Sequence, residues 1–270
     1  LWMVMIMVVD LRFYAERYVS AVYPEAGKLA FYLAMAVLQL WIVRESLDCL
    51  LRTGKILFWV VILTLAAVLL LAVEKIQIYN LWPVTDTSWR EAGLGSLRLS
   101  TTLSMAVPAG FLLGTVEWKT RKNGAVWWVA ALTGAAMMIA VSVLGVFGPE
   151  LSQRLQVPFF TLAKEVSVTG AMERLESIIS AMWMMTDTAL MGVLAFSAEQ
   201  ALRQAAGAAK RPEWVRMSLI LLLVAVCCAL PKSTFDMDAG YQAIGMPINV
   251  LMGYFIPGTA LVVAKVRKRW

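Results

Sequence analysis

The chain has 270 residues, 60% of them hydrophobic and 16% charged, with mean hydropathy +0.73 and formal net charge +6. That balance argues against a soluble globular domain and for an all-α polytopic membrane protein. Having no histidine, the sequence excludes histidine-based zinc sites, serine–histidine triads and histidine pH switches. Its basic residues are scattered among loops and form no aromatic-interleaved nucleic-acid surface.

Residues 1–9 are apolar, about 14 Å at helical rise, before Asp10, Arg12, Glu16 and Arg17 arrive. This is half a span, so the sequence reads as starting inside a helix with upstream sequence missing. Pro24 and Gly27 mark a turn. Residues 29–43 and 56–73 are spans joined by a loop at 44–55, and residues 74–98 read as an interfacial loop anchored by Trp82 and Trp89. Cys49, Cys227 and Cys228 have neither metal-ligand nor disulfide spacing, and the latter two read as small apolar residues within a helix.

Residues 99–116 are long enough to span, yet carry Ser100, Thr101, Thr102 and Ser104, then Pro108, Gly110 and Gly114. Proline removes a helix donor and glycine loosens the backbone, so the sequence predicts a break at 107–110. Broken helices of this kind expose half-helix ends to substrate in transporters. A kinked helix whose hydroxyls bond their own backbone is the alternative.

Residues 125–147 form another span, with Trp127 and Trp128 at one interface and Gly148–Pro149 ending it. Residues 157–176 read as two short surface-lying or re-entrant helices split near Thr169 and Gly170. Residues 177–198 hold a single charge, Asp187, flanked by Thr186 and Thr188, with Ser180 two turns earlier. A carboxylate at mid-membrane costs on the order of 2.5–3.5 kcal/mol, so Asp187 must face a bundle interior, a cavity or a partner. A basic loop at 203–216 precedes a span at 217–230, whose ends extend to Trp214 and Pro231. The last span, 246–264, carries Asn249, Pro257 and Gly258, giving eight hydrophobic segments in all.

Alternating loops separate the basic residues. Arg44, Arg52, Lys55, Lys119, Arg121, Lys122, Arg203, Lys210, Arg211, Arg216, Lys265, Arg267, Lys268 and Arg269 fall on one side, and the remainder of the 24 on the other. The richer side is expected to be cytoplasmic, with the C-terminus inside and residues 158–176 outside.

Residues 144–183 resemble the signature region of the B subunits of Ger-type spore germinant receptors, in the amino acid–polyamine–organocation superfamily. The matching residues are Leu144, Gly145, Gly148, Pro149, Glu150, Leu151, Pro158, Glu173, Arg174, Leu175, Glu176 and Trp183, with weaker similarity at 11–17 and 81–87. The resemblance implies a LeuT-type inverted-repeat fold lacking its first two helices. Residues 1–270 then form one transmembrane domain, 1–73 being the remainder of the first repeat and 99–264 the second. Pro108 and Gly110 then fall in helix six, a discontinuous helix of the substrate site, and Asp187 in helix eight. Phe111 stands where the resemblance implies an acidic residue, and Leu190 where it implies a lysine.

The resulting expectation is a membrane subunit that senses a small amino-acid-like germinant and signals to A-type and C-type receptor subunits in the cell or spore inner membrane. Its candidate ligand residues are Thr101, Thr102, Ser104, Pro108, Gly110, Ser180, Asp187 and Thr188. Asp187 is assigned a ligand amine, a coupling cation or a proton, the alternative being a purely structural hydrogen bond. Pro158, Glu173, Arg174, Glu176 and Trp183 are expected to be structural, with Arg174 clamping a helix entrance or meeting lipid phosphate. No catalytic residue, metal, cofactor or nucleic acid is expected. Alternative readings are a cation- or proton-coupled amino-acid permease and a ligand-independent assembly scaffold.

Overall fold

A computed structural model describes residues 1–21, 25, 27–82, 88–115, 123–155, 157–166, 175–206, 214–229 and 239–267, and every regular element among them is helical. In chain order these are α1 (Trp2–Ala21), α2 (Lys28–Ile42), α3 (Leu47–Ala72), α4 (Trp89–Leu103), α5 (Gly124–Arg154), α6 (Pro158–Glu165), α7 (Leu175–Ala206), α8 (Trp214–Ala229) and α9 (Tyr241–Val266). Four stretches, Leu47–Lys75, Val126–Arg154, Ile179–Ala205 and Tyr241–Val266, are long and apolar enough to cross a membrane. Each exceeds the ~20 residues that cross a ~30 Å hydrocarbon core. Apolar side chains such as Trp59, Leu63 and Leu70 on α3 and Leu261 and Val262 on α9 point outward, which lipid favours and water does not. The chain is built as an integral membrane protein.

Several boundaries differ from the sequence reading, for local reasons. The run at 1–9 is not a half-span that stops at its charges; α1 continues to Ala21. The loop at 44–55 is mostly helix, because Ser46 Oγ accepts the Cys49 N–H as an N-cap and Asp48 favours the first turn. The loop at 74–98 is likewise helical from Trp89. Ser88 and Glu91 form a capping box, the Glu91 N–H donating to Ser88 Oγ and the Ser88 N–H to Glu91 Oε2.

Regular helix ends at Gly148, as the sequence leads one to expect. At φ 72° and ψ 168° it kinks the helix, which resumes at Pro149 and runs to Arg154. The break expected at 107–110 begins earlier: α geometry stops at Leu103, and a 3-10 helix occupies Ser104–Thr115. The expected split near Thr169 and Gly170 lies outside the described residues.

The chain divides into two units. One comprises Leu1–Leu50, Ser88–Glu117 and Asp187–Trp270; the other comprises Leu51–Thr87 and Trp118–Thr186. In the first, α1, α2 and α8 pack mutually around Ile6, Met7, Leu11, Tyr14, Met35, Val43 and Leu223. Gly192 on α7 lets that helix approach closely, since a Cβ there would lie 3.0 Å from Leu50 and 3.2 Å from Ile42. In the same unit α4 and the 3-10 stretch pack on α9.

In the second unit the 3-10 turn Ile78–Leu81 docks on α5. Pro149 has no N–H, so the Gly145 carbonyl four residues earlier loses its helical donor. The Gln77 N–H and Asn80 Nδ2 both donate to it instead, each at 2.9 Å. Nearby, Phe160 of α6 stacks on Trp183, with Phe159 edge-on at 6.0 Å.

Candidate functional site

The strongest polar centre in the first unit joins α1 to α7. The Arg17 guanidinium donates from Nη2 to Asp187 Oδ2 at 2.5 Å, while its Nε reaches back to the Phe13 carbonyl at 3.3 Å. The side chain therefore folds toward the N-terminal end of α1, as helical side chains tilt. Asp10 and Tyr14 lie on the same face of α1 as Arg17. Asp10 keeps partial exposure as a residue, but its Oδ2 is sealed from solvent and accepts no hydrogen bond.

A second set of charges lies on the adjoining face of α1. Arg12, 3% exposed, donates to the Tyr32 hydroxyl at 2.8 Å and to the Cys227 carbonyl at 3.2 Å. That carbonyl is available because residue 231, its usual helical donor, is proline. Glu16 stands beside Arg12 and accepts from Lys28. Thus α1, α2 and α8 are tied by charge-assisted bonds as well as packing.

Thr188 follows Asp187 but serves α2. Its hydroxyl donates to Met35 Sδ at 3.3 Å, and its carbonyl accepts from Gln39 Nε2 at 2.7 Å. The broken-helix residues are anchored to α9. Ser104 Oγ donates to the Thr101 carbonyl at 2.5 Å, and both residues are buried. The Tyr254 hydroxyl donates to the Ser100 carbonyl at 2.6 Å, and Gly253 abuts Ser104 with no room for a Cβ.

Pro108 is buried and Gly110 exposed. Pro108 deletes the donor that would serve Ser104 in α geometry or Met105 in 3-10 geometry, freeing a backbone acceptor. Thr102 lies in α4, its side chain outside the described set; Ser180 is buried but belongs to the second unit.

Helix α9 is itself irregular. Two π-helical stretches, Tyr241–Gly245 and Leu251–Phe255, each end two residues before a proline, Pro247 or Pro257, whose missing N–H opens the regular ladder. Between them the buried Asn249 accepts from Trp2 Nε1 at 2.9 Å and donates to the Tyr241 hydroxyl at 3.1 Å. An open apolar groove of about 410 Å³ runs along the helix past Tyr254, Gly258 and Val262, and none of its lining residues is a ligand candidate. Among the described residues no group of three histidine, cysteine or carboxylate side chains is placed to hold a metal.

The family model described as spore germination protein, a spore permease family, matches residues 1–236. The chain belongs to the spore germination protein family. It is therefore a germination-related membrane protein. No curated protein and no solved structure matches it.

Within this family member, several of the described signature residues make local backbone and packing contacts. Gly145 and Pro149 create the docking point for Asn80, and Gly148 supplies the kink. Pro158 opens α6 at its first position, and Trp183 receives Phe159 and Phe160. Glu173 and Arg174 lie outside the described residues; Glu176 lies in the first turn of α7, its side chain likewise undescribed.

Sequence reasoning missed Asp10, Arg12, Glu16, Arg17, Tyr32 and Gln39 as parts of a polar interior. One signal was available. Asp10, Tyr14 and Arg17 recur at the spacing of a single helix face, directly after an apolar run.

Proposed function

We propose that the chain is the membrane subunit of a spore germinant receptor, sensing a small amino-acid-like germinant and signalling to A-type and C-type partner subunits. The observation that carries this reading, beyond family membership, is the Arg17–Asp187 pair inside a helical bundle. An amino acid presents an ammonium and a carboxylate. Asp187 suits the first and Arg17 the second, so a zwitterion would replace each half of the pair with a partner of the same charge. Thr101, Ser104 and the backbone freed by Pro108 and Gly110 would supply neutral donors and acceptors, and Thr188 would hold Asp187's helix against α2. Opening the pair would uncouple α1 from α7, and the ligand shifts that equilibrium only by its differential affinity for the two states.

On this reading the fold is the LeuT-type inverted repeat, with the repeats at 1–73 and 99–264, in the cell or spore inner membrane with a cytoplasmic C-terminus. The decisive experiment is Asp187→Asn in the full-length protein in spores. Germinant response should be lost while the subunit still accumulates in the membrane; an unchanged response rejects Asp187 as a ligand residue. Ion-driven net uptake by proteoliposomes would instead select an amino-acid permease of the same architecture.

A further inference from the structure

We infer that Asp10 is a proton-binding site, and that its proton decides whether Arg17 holds Asp187. Asp10 lies two helical turns before Arg17 on one face of α1, and Arg17 bonds Asp187 of α7, so among these three described groups one negative charge is in surplus if both acids are ionised. In a helix interior an uncompensated carboxylate is costly, and its oxygens need donors. Asp187 Oδ2 has one, from Arg17 Nη2; Asp10 Oδ2 is sealed from solvent and has none. A proton on Asp10 removes the surplus charge and with it the demand for a donor.

Among the described residues, other polar groups of α1, α2, α8 and α9 are engaged elsewhere. Tyr32 and Lys28 meet Arg12 and Glu16, Cys227 Sγ contacts the Val8 carbonyl at 3.6 Å, and the Tyr241 hydroxyl meets Asn249. Among the described residues, Arg17 of α1 and Asp187 of α7 are therefore the charges that bear on Asp10.

Arg17 gives the proton its consequence. Its Nε already bonds one turn back, at Phe13, so its guanidinium is turned toward Asp10. When the Asp10 O–H bond ionises, the electron pair stays on the carboxylate and the proton passes to solvent water. The new charge then draws the guanidinium from Asp187. Protonated Asp10 leaves α1 latched to α7, and ionised Asp10 competes for the latch. This inference needs no ligand and stands apart from the germinant reading.

The test is infrared spectroscopy of the full chain in phosphatidylcholine vesicles across a pH series, reading the protonated-carboxyl carbonyl band. Wild type should show the band at neutral pH and lose it as pH rises. Asp10→Asn should lack one protonated carboxyl per chain throughout, whereas Asp10→Glu should retain a titrating band at a shifted frequency. Asp187→Asn should also lose the band at neutral pH, because the released Arg17 then neutralises Asp10. The inference is overturned if wild type shows no such band, if the band survives in Asp10→Asn, or if Asp187→Asn leaves its titration unchanged. Since Asp10→Glu keeps an ionisable carboxyl, a folding failure of Asp10→Asn does not spare the idea.

Discussion

Arg17 and Asp187, separated by 170 positions in sequence, meet at 2.5 Å with side chains 23% and 11% exposed. Neither fits its apolar surroundings alone: Asp187 is the single charge in residues 177–198, and Arg17 closes the charged half of α1. Removing one partner strands the other, so the loss should exceed what the intact pair contributes. Arg17→Ala and Asp187→Ala should each destabilise the detergent-solubilised protein by about 2 kcal/mol or more. The double variant should cost less than their sum, by on the order of 1–3 kcal/mol in a double-mutant cycle. Additive losses would mean the contact carries no coupling.

A second prediction concerns the seam between α9 and the broken helix. A Cβ at Gly253 meets both the side chain and the Cα of Ser104, so rotamer change alone does not relieve it. Gly253→Ala should lower stability by roughly 1–3 kcal/mol through overpacking. Ser104→Gly should restore much of that loss in the double variant, read by the thermal midpoint. A wild-type-like Gly253→Ala would show that the seam opens freely.

Gln39 separates hydrogen bonding from packing. Its Nε2 bonds the Thr188 carbonyl, while its Oε1 is buried without a partner. Gln39→Met keeps the volume and deletes the orphaned oxygen, so it should stay within about 1 kcal/mol of wild type. Gln39→Ala empties a fully packed position and should cost about 2 kcal/mol or more. Equal losses in chemical unfolding would indicate that the hydrogen bond dominates.

At the α5 kink, Gly148 occupies a backbone region essentially restricted to glycine. Gly148→Ala should therefore cost about 1–3 kcal/mol in strain. An added Cβ would lie 3.4 Å from Asn80 Oδ1, an ordinary contact, so the cost comes from the backbone conformation rather than from a clash with the docked turn. The thermal midpoint should fall; unchanged melting would place the kink's tolerance above this estimate.

What the sequence determined by itself is what depends on neighbours in the chain. Apolar runs marked the helices, Pro108 with Gly110 marked the departure from α geometry, Gly148 with Pro149 marked the end of a span, and Asp187 stood out against its segment. Residues 144–183 carried the family. Ser46 and the Ser88–Glu91 capping box were equally local signals, and they start α3 and α4 inside stretches whose polarity suggested loops.

Tertiary structure alone decided where the charges of α1 belong. Hydropathy scores each residue by its cost in hydrocarbon, so Asp10, Arg12, Glu16 and Arg17 looked like the end of a span. Their cost falls when partners on other helices meet them, as Asp187 meets Arg17 and Tyr32 with the Cys227 carbonyl meets Arg12. No local pattern encodes those distances. Likewise, hydroxyls near Pro108 were visible in sequence, but only packing against Gly253 committed Ser104 to α9.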